Sequence, residues 1–195
     1  MTGGEDSLFG TTSTERNTAL SQLALDDCLE RIAMGDKNAL AELFEVTKAS
    51  VYGFALSIVK NAHDAEDVLQ ECYVKIWNAA ESYVSQGKPM AWILTIARNI
   101  STSLLRERSK SSELPDDDWH EHLADYPSVS TDDRLVLEAA MERLGDDERQ
   151  IVMLHAVTGL KHIEIAGLMS LPLSTVLSKY NRAKKKLRKT LMEGE

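Results

Sequence analysis

From Leu25 onward the apolar residues recur every three or four positions, and nowhere do they alternate for long as a half-buried strand requires. Leu25, Leu29 and Ile32 form the first stripe. Gly35 interrupts it, and Asp36 stands where a carboxylate can cap a second helix carrying Leu40, Leu43, Phe44, Val51, Phe54 and Ile58 on one side. Residues 61–64 read as a break and a fresh cap, and a third helix extends to about Ala80. After a polar loop, 81–88, Pro89 fits the first turn of a fourth helix ending near Arg108.

The rhythm then stops. Residues 109–131 combine Ser, Asp, Pro115 and Pro127 with few apolar positions, the composition of a linker. Trp119 is its bulkiest apolar side chain, available for local packing or for docking on a partner. Beyond it, a short helix carries Leu137, Met141 and Leu144; another starts with Asp147 as cap and Gln150 three residues on, and stops at Gly159. A small helix over 162–169 and a longer one over about 172–192 complete the chain. Residues 1–20, rich in Gly, Ser and Thr, are expected to form a flexible tail. The pattern thus predicts an all-α protein: two small helical domains, 21–108 and 132–195, joined by an acidic linker, 109–131.

Composition adds constraints. With 195 residues, 43% hydrophobic and 27% charged, the chain can bury a core in each domain. No run approaches the roughly 20 apolar residues of a membrane span, and the first thirty residues lack a basic start followed by an apolar stretch. The expectation is a cytoplasmic protein with no membrane insertion. Cys28 and Cys72 lie inside apolar helical patterns and read as buried small hydrophobes in a reducing compartment.

A net charge of -9 argues against a nucleic-acid binder until its distribution is considered. Residues 111–148 hold thirteen acids and two bases, whereas 179–189 hold seven bases and no acid. Such a local basic footprint is what a DNA-binding segment of an acidic protein needs. By itself a basic run is equally a solvated helix face; the preceding turn favours DNA. Ile163, Ala166 and Leu168 can face inward on a short helix, Ser170 and Leu171 turn the chain, and Pro172 opens the next helix. Small Ala166 permits a close helix crossing. At 100° per residue, Leu173, Val176, Leu177, Tyr180, Ala183, Leu187 and Leu191 fall on one arc, and Thr175, Ser178, Lys179, Arg182, Lys185, Lys186 and Lys189 on the other. This is a helix-turn-helix. Its geometry makes Ser174, Thr175, Ser178 and Lys179 base-edge candidates and Arg182, Lys185 and Lys186 phosphate candidates.

The segment EIAGLMSLPLSTVLSKYNRAKKKLRKTL, 164–191, resembles the promoter-binding domain of extracytoplasmic-function (ECF) RNA polymerase sigma factors. It departs from that family at Ser170, often Gly, at Leu177, usually basic, and at Gly145, frequently Pro. A left-handed Ser170 would carry strain of about 1 kcal/mol. The resemblance extends from about Leu25 to Leu191. In DAEDVLQECYVKIW, 64–77, Val68, Leu69, Cys72, Tyr73, Ile76 and Trp77 make an inner arc, leaving Asp64, Asp67, Glu71, Lys75 and Asn78 outward. Taken alone, that is a capped, solvated face. The segment is similar to the family's helix that docks on the beta-prime clamp helices of core RNA polymerase. The resemblance therefore implies polymerase contacts by Asp64, Asp67, Gln70 and Glu71.

The next segment, PMAWILTIARNISTSLLRER, 89–108, resembles the part that melts promoter DNA and reads the single-stranded −10 element. Trp92, Ile93, Ile96 and Ile100 suit its packed side, while Arg98, Asn99, Ser103, Arg106 and Arg108 offer donors to phosphates and unstacked bases. The resemblance also implies a base-capturing loop within 83–88, −35 duplex binding by the second domain, and an anti-sigma factor as partner.

A LuxR-type helix-turn-helix regulator is the alternative, but a receiver domain would need alternating strands and helices that residues 20–108 lack. An enzyme or metal protein has less support. His63, His120, His122, His155 and His162 form no ligand set in sequence, and there is no Gly-rich phosphate loop or nucleophile elbow. No catalysis and no cofactor are expected.

Overall fold

The computed structural model describes residues 13–111 and 141–193, with side chains over 22–110 and 141–190. Seven α-helices of eight residues or more are described: α1 (Ser13–Ala33), α2 (Lys37–Val59), α3 (Ala62–Ala79), α4 (Pro89–Ser111), α5 (Asp146–Ala156), α6 (His162–Met169) and α7 (Leu173–Glu193). A 3-10 turn, Ala80–Ser82, follows α3. There is no strand among the described residues.

Local chemistry sets most boundaries. Gly35 leaves α1 with φ +85°, and the Asp36 carboxylate accepts from the N–H groups of Asn38 at 2.9 Å and Ala39 at 3.3 Å, capping α2. Arg31 then locks the α1–α2 corner by pairing with Asp36 and Glu42, each at 2.7 Å. Asn61 caps α3 by accepting from the Asp64 N–H at 2.9 Å. α2 ends on Lys60 in the left-handed region, φ 54°, a conformation no Gly signal announced. α1 begins at Ser13, inside the stretch 1–20 expected as a flexible tail, and residues 1–12 of that stretch lie outside the described residues. Likewise α4 runs to Ser111, past the expected start of the linker. The remainder of the linker, with Trp119, and the stretch with Leu137 lie outside the described residues.

α2 is the hub of the first module: α1, α3 and α4 all pack on it, around Leu29, Leu43, Phe54, Leu56, Ile76, Ile93 and Leu94. The Thr47 and Tyr73 hydroxyls share a hydrogen bond of 2.6 Å, and Phe44 meets the Tyr73 ring edge-on. Cys72 is fully buried, and burial pushes its thiol up to about 12. The apolar cluster continues into the second module: α5 packs against α2 and α6 against α4, with Ile151, Leu154, Ile165 and Leu168 joining the same cluster. Lys60 Nζ crosses the seam to Asp146 Oδ1 at 2.8 Å.

Candidate nucleic-acid interface

The second module is built around Glu148. Its Oε2 accepts from the Gly145 N–H at 3.2 Å and from Lys186 Nζ at 2.6 Å, while Arg182 Nε lies 3.7 Å from Oε1. Burial pushes this carboxyl up, but those donors outweigh it and hold it below the usual carboxylate range. The expected cap at Asp147 is therefore corrected. Glu148 reaches back to Gly145, so the helix starts at Asp146 and Asp147 sits within its first turn, where the helix dipole favours acids. Arg149, also buried, donates to the carbonyls of Leu144 at 2.9 Å and Met141 at 3.3 Å. These bonds bind α5 to the segment before it.

α5 ends at Ala156, and Gly159 turns the chain with φ +70°. α6 follows over the expected residues, its first turn closed by Glu164 accepting from the Lys161 N–H at 2.8 Å. Ser170 ends it in the left-handed region, φ 55° and ψ 40°, and the Leu171 N–H bonds to the Ala166 carbonyl at 3.0 Å. Ile163 was expected to face inward; it is 58% exposed, and Ile165 fills the core instead. The inward residues are Ile165, Ala166, Leu168 and Met169, so Ala166 and Leu168 face inward as expected, and Ile163 lies about 200° round the helix from Ile165.

The turn delivers α7 with Val176 and Ala183 fully buried and Tyr180 and Leu187 partly so. Leu173 and Leu177 do not belong to that buried arc: they are 38% and 41% exposed. Val176 and Ala183 set the inward direction, and Leu177 lies about 100° away from Val176. Among the DNA candidates, Ser174, Ser178, Arg182 and Lys185 are exposed, Arg182 by 61%. Thr175 is half-buried. Lys179 pairs with Asp147 at 2.9 Å and Lys186 with Glu148, so these two turn toward α5.

Tyr180 joins a cluster that sequence spacing hid. The His155 and His162 rings stack with centroids 4.4 Å apart, and both meet the Tyr180 ring edge-on. His155 Nδ1 lies 2.9 Å from the Leu160 carbonyl, and Lys184 Nζ sits 5.5 Å from the Tyr180 ring centre. Burial, followed by His155 and Lys184, holds His162 below its ordinary value.

In the first module, Tyr83, Lys88, Trp92, Arg98 and Asn99 line a cavity of about 580 Å³. Tyr83 and Trp92 rings pack at 4.9 Å, and the Tyr83 hydroxyl donates to buried Asp26, tying the loop to α1. Sequence reading missed Asp26, whose partner lies 57 residues away. Arg98 and Asn99 thus share one cavity, while Ser103 and Arg106 stand exposed further along α4. The far wall comes from the second module: Glu164, Gly167, Leu168 and Ser170.

On α3, Asp67, Gln70 and Glu71 are exposed, and Glu71 pairs with Lys75 at 2.8 Å. Asp64 is corrected. Expected outward, it is only 2% exposed, and both its oxygens are held by the Arg108 guanidinium from the end of α4. Burial raises its carboxyl's pKa despite that partner.

The described residues thus form a helical module with an aromatic-walled cavity and an acid-bearing helix, followed by a module in which a short helix turns at Ser170 into a longer one with an exposed polar and basic face. Comparison with known families assigns both modules to transcription initiation: residues 43–111 match Sigma-70 region 2, and residues 134–187 match Sigma-70, region 4. The ECF RNA polymerase sigma factor SigK of Mycobacterium tuberculosis (strain ATCC 25618 / H37Rv) is 29% identical over 175 residues, covering 86% of this chain and 93% of that protein. SigK of Mycobacterium ulcerans (strain Agy99) is 27% identical over 174 residues, with the same coverage.

Among solved structures, the sigma factor RpoE of Bartonella quintana, in complex with the anti-sigma factor NepR, aligns with a TM-score of 0.65 and 26% identity. That alignment covers 80% of this chain and 98% of RpoE. CnrH, in complex with the cytosolic domain of CnrY, aligns with a TM-score of 0.63 over 88% of this chain and 99% of that one; at 20% identity it speaks for the fold. The chain belongs to the ECF group of sigma-70 RNA polymerase sigma factors. It is a sigma factor of transcription initiation, and the region 2 match over the first module leaves no room there for a LuxR-type regulator's receiver. No described helix is long and apolar enough to cross a membrane.

Proposed function

We propose that this sigma factor docks on the beta-prime clamp helices of core RNA polymerase through the exposed side of α3, with Asp67, Gln70 and Glu71 making the polar contacts. Asp64 acts from behind, holding α3 to α4 through Arg108. Arg98 and Asn99 take an unstacked base of the −10 strand in the cavity walled by Tyr83 and Trp92, while Ser103 and Arg106 meet the strand beyond it. α7 enters the major groove of the −35 duplex with Ser174, Thr175 and Ser178 toward the bases and Lys179, Arg182, Lys185 and Lys186 toward phosphates. Lys179 and Lys186 exchange Asp147 and Glu148 for phosphate to do so.

The chain performs no bond chemistry itself, needs no cofactor and works in the cytoplasm, where the polymerase meets the chromosome. An anti-sigma factor is its expected regulator, consistent with the complex of the similar RpoE with NepR. The observation that carries this reading is the cavity uniting Arg98 and Asn99 with Tyr83 and Trp92. Because residues of α6 line the same cavity, a DNA strand entering it meets both modules.

The division of labour is tested by two substitutions in two assays. Arg182→Ala should weaken −35 duplex binding and flatten its salt dependence; Asp67→Ala should weaken core binding and leave duplex affinity unchanged. Equal effects of both in both assays would contradict the assignment.

A further inference from the structure

We propose that Leu177 reads a thymine methyl group in the −35 duplex, a contact that rests on the assignment of α7 as the −35 reader. Leu177 is 41% exposed in the first half of α7, the end that a recognition helix presents to base edges. Packing does not require it, since Val176 and Ala183 already fill the buried side. Its neighbours one turn away on the helix surface, Ser174 and Asn181, are exposed and polar, and Leu173, also exposed, extends the apolar strip by one turn. Further along α7, exposed Lys185 and Arg188 supply charge complementary to a phosphate backbone. The acids that meet this helix, Asp147 and Glu148, engage Lys179, Arg182 and Lys186 on its other flank.

The chemistry of the groove selects the occupant. Thymine's 5-methyl is the one apolar group that base pairs present in the major groove; the other edges carry donors and acceptors. A leucine has no hydrogen-bonding atom. Against a purine N7 or a cytosine amino group it would strip water and return no bond, which penalises those bases. Against a methyl group it removes apolar surface from water on both sides. Leu177 therefore favours thymine by attraction and disfavours the other bases by desolvation.

The test uses the full chain bound to core RNA polymerase. A promoter-length duplex library randomised across the upstream element is enriched for binding, and each thymine in the enriched element is then replaced singly by deoxyuridine, which lacks only the methyl. At one position the wild type should lose about three- to fivefold in affinity, the effect of one buried methyl. Leu177→Ala should bind the thymine duplex more weakly by a similar factor and respond to deoxyuridine by less than about 1.5-fold, as coupling between the two groups requires. Ile163→Ala, which truncates an exposed apolar side chain on α6 that has no assigned DNA contact, serves as the comparison and should keep the full methyl response. No methyl response in the wild type, or an equal one in Leu177→Ala, would overturn the proposal while leaving α7 as the −35 reader. Failure to enrich any upstream sequence would overturn both.

Discussion

Arg108, at the end of α4, closes on Asp64 in the first turn of α3 and takes both oxygens of a carboxylate that is otherwise buried. Removing Arg108 leaves that carboxylate without its cation. Arg108→Ala is therefore expected to destabilise the first module by roughly 1–3 kcal/mol, less than the ~3–5 of a fully enclosed pair because the guanidinium is partly solvated. Asp67→Ala, on the open face, should change stability by less than about 0.5 kcal/mol. Urea denaturation of both variants checks this; equal losses would show that Asp64 is not held as described.

Glu148 holds two of the cations proposed to meet DNA, Arg182 and Lys186. Replacing it by Gln should lower stability by roughly 1–3 kcal/mol, since a buried charged acceptor is lost. The same change frees Lys186 and Arg182, so duplex affinity at low salt should rise and its salt dependence steepen. Thermal melts and a salt titration of duplex binding measure the two effects. Weaker binding at every salt concentration would argue that Glu148 positions these cations rather than withholding them.

His162 gives the second module a pH dependence of definite sign. Its folded-state value is depressed by burial and then by His155 and Lys184, so as pH falls through the ordinary histidine value near 6.5 the unfolded chain binds a proton that the folded chain refuses. Stability should fall between neutral pH and mild acid. His162→Phe keeps a ring against His155 and Tyr180 and should remove that part of the loss. The depressed Glu148 carboxylate acts only lower, as pH drops below the usual carboxylate range. Denaturation midpoints at pH 7.5 and 5.5 for both proteins decide the matter.

The seam between modules offers a further handle. Lys60–Asp146 is partly exposed and such pairs contribute only ~0–1 kcal/mol, so the apolar contacts of α5 and α6 carry most of the closure. Lys60→Glu adds repulsion and should enlarge the radius of gyration in X-ray scattering, more at low salt than at high salt. An unchanged radius at both would show that the pair has no part in holding the modules together.

Much of the architecture was legible because its signals are local. Asp36, Asn61, Gly159 and the Ser170–Pro172 turn act within a few residues, and α6 emerged at the expected bounds. What stayed hidden depends on partners far along the chain. Asp64 looked like a surface acid because Arg108 is 44 residues away, and Tyr83 gave no hint of Asp26. The rotation of α7 was misjudged at Leu173 and Leu177 because an angular count orders residues round a helix without fixing which direction the core takes. Lys179 and Lys186 looked free for DNA, and only the packing of α7 on α5 reveals their acidic partners.

The account stands most directly on one measurement: run-off transcription by purified core RNA polymerase, with and without this chain, from a cognate promoter carrying −10 and −35 elements. The chain should form a complex with core polymerase and start transcripts that depend on both elements, with Asp67→Ala reducing complex formation. A chain that fails to bind core polymerase at low salt, or that leaves initiation from such a promoter unchanged, would contradict the account.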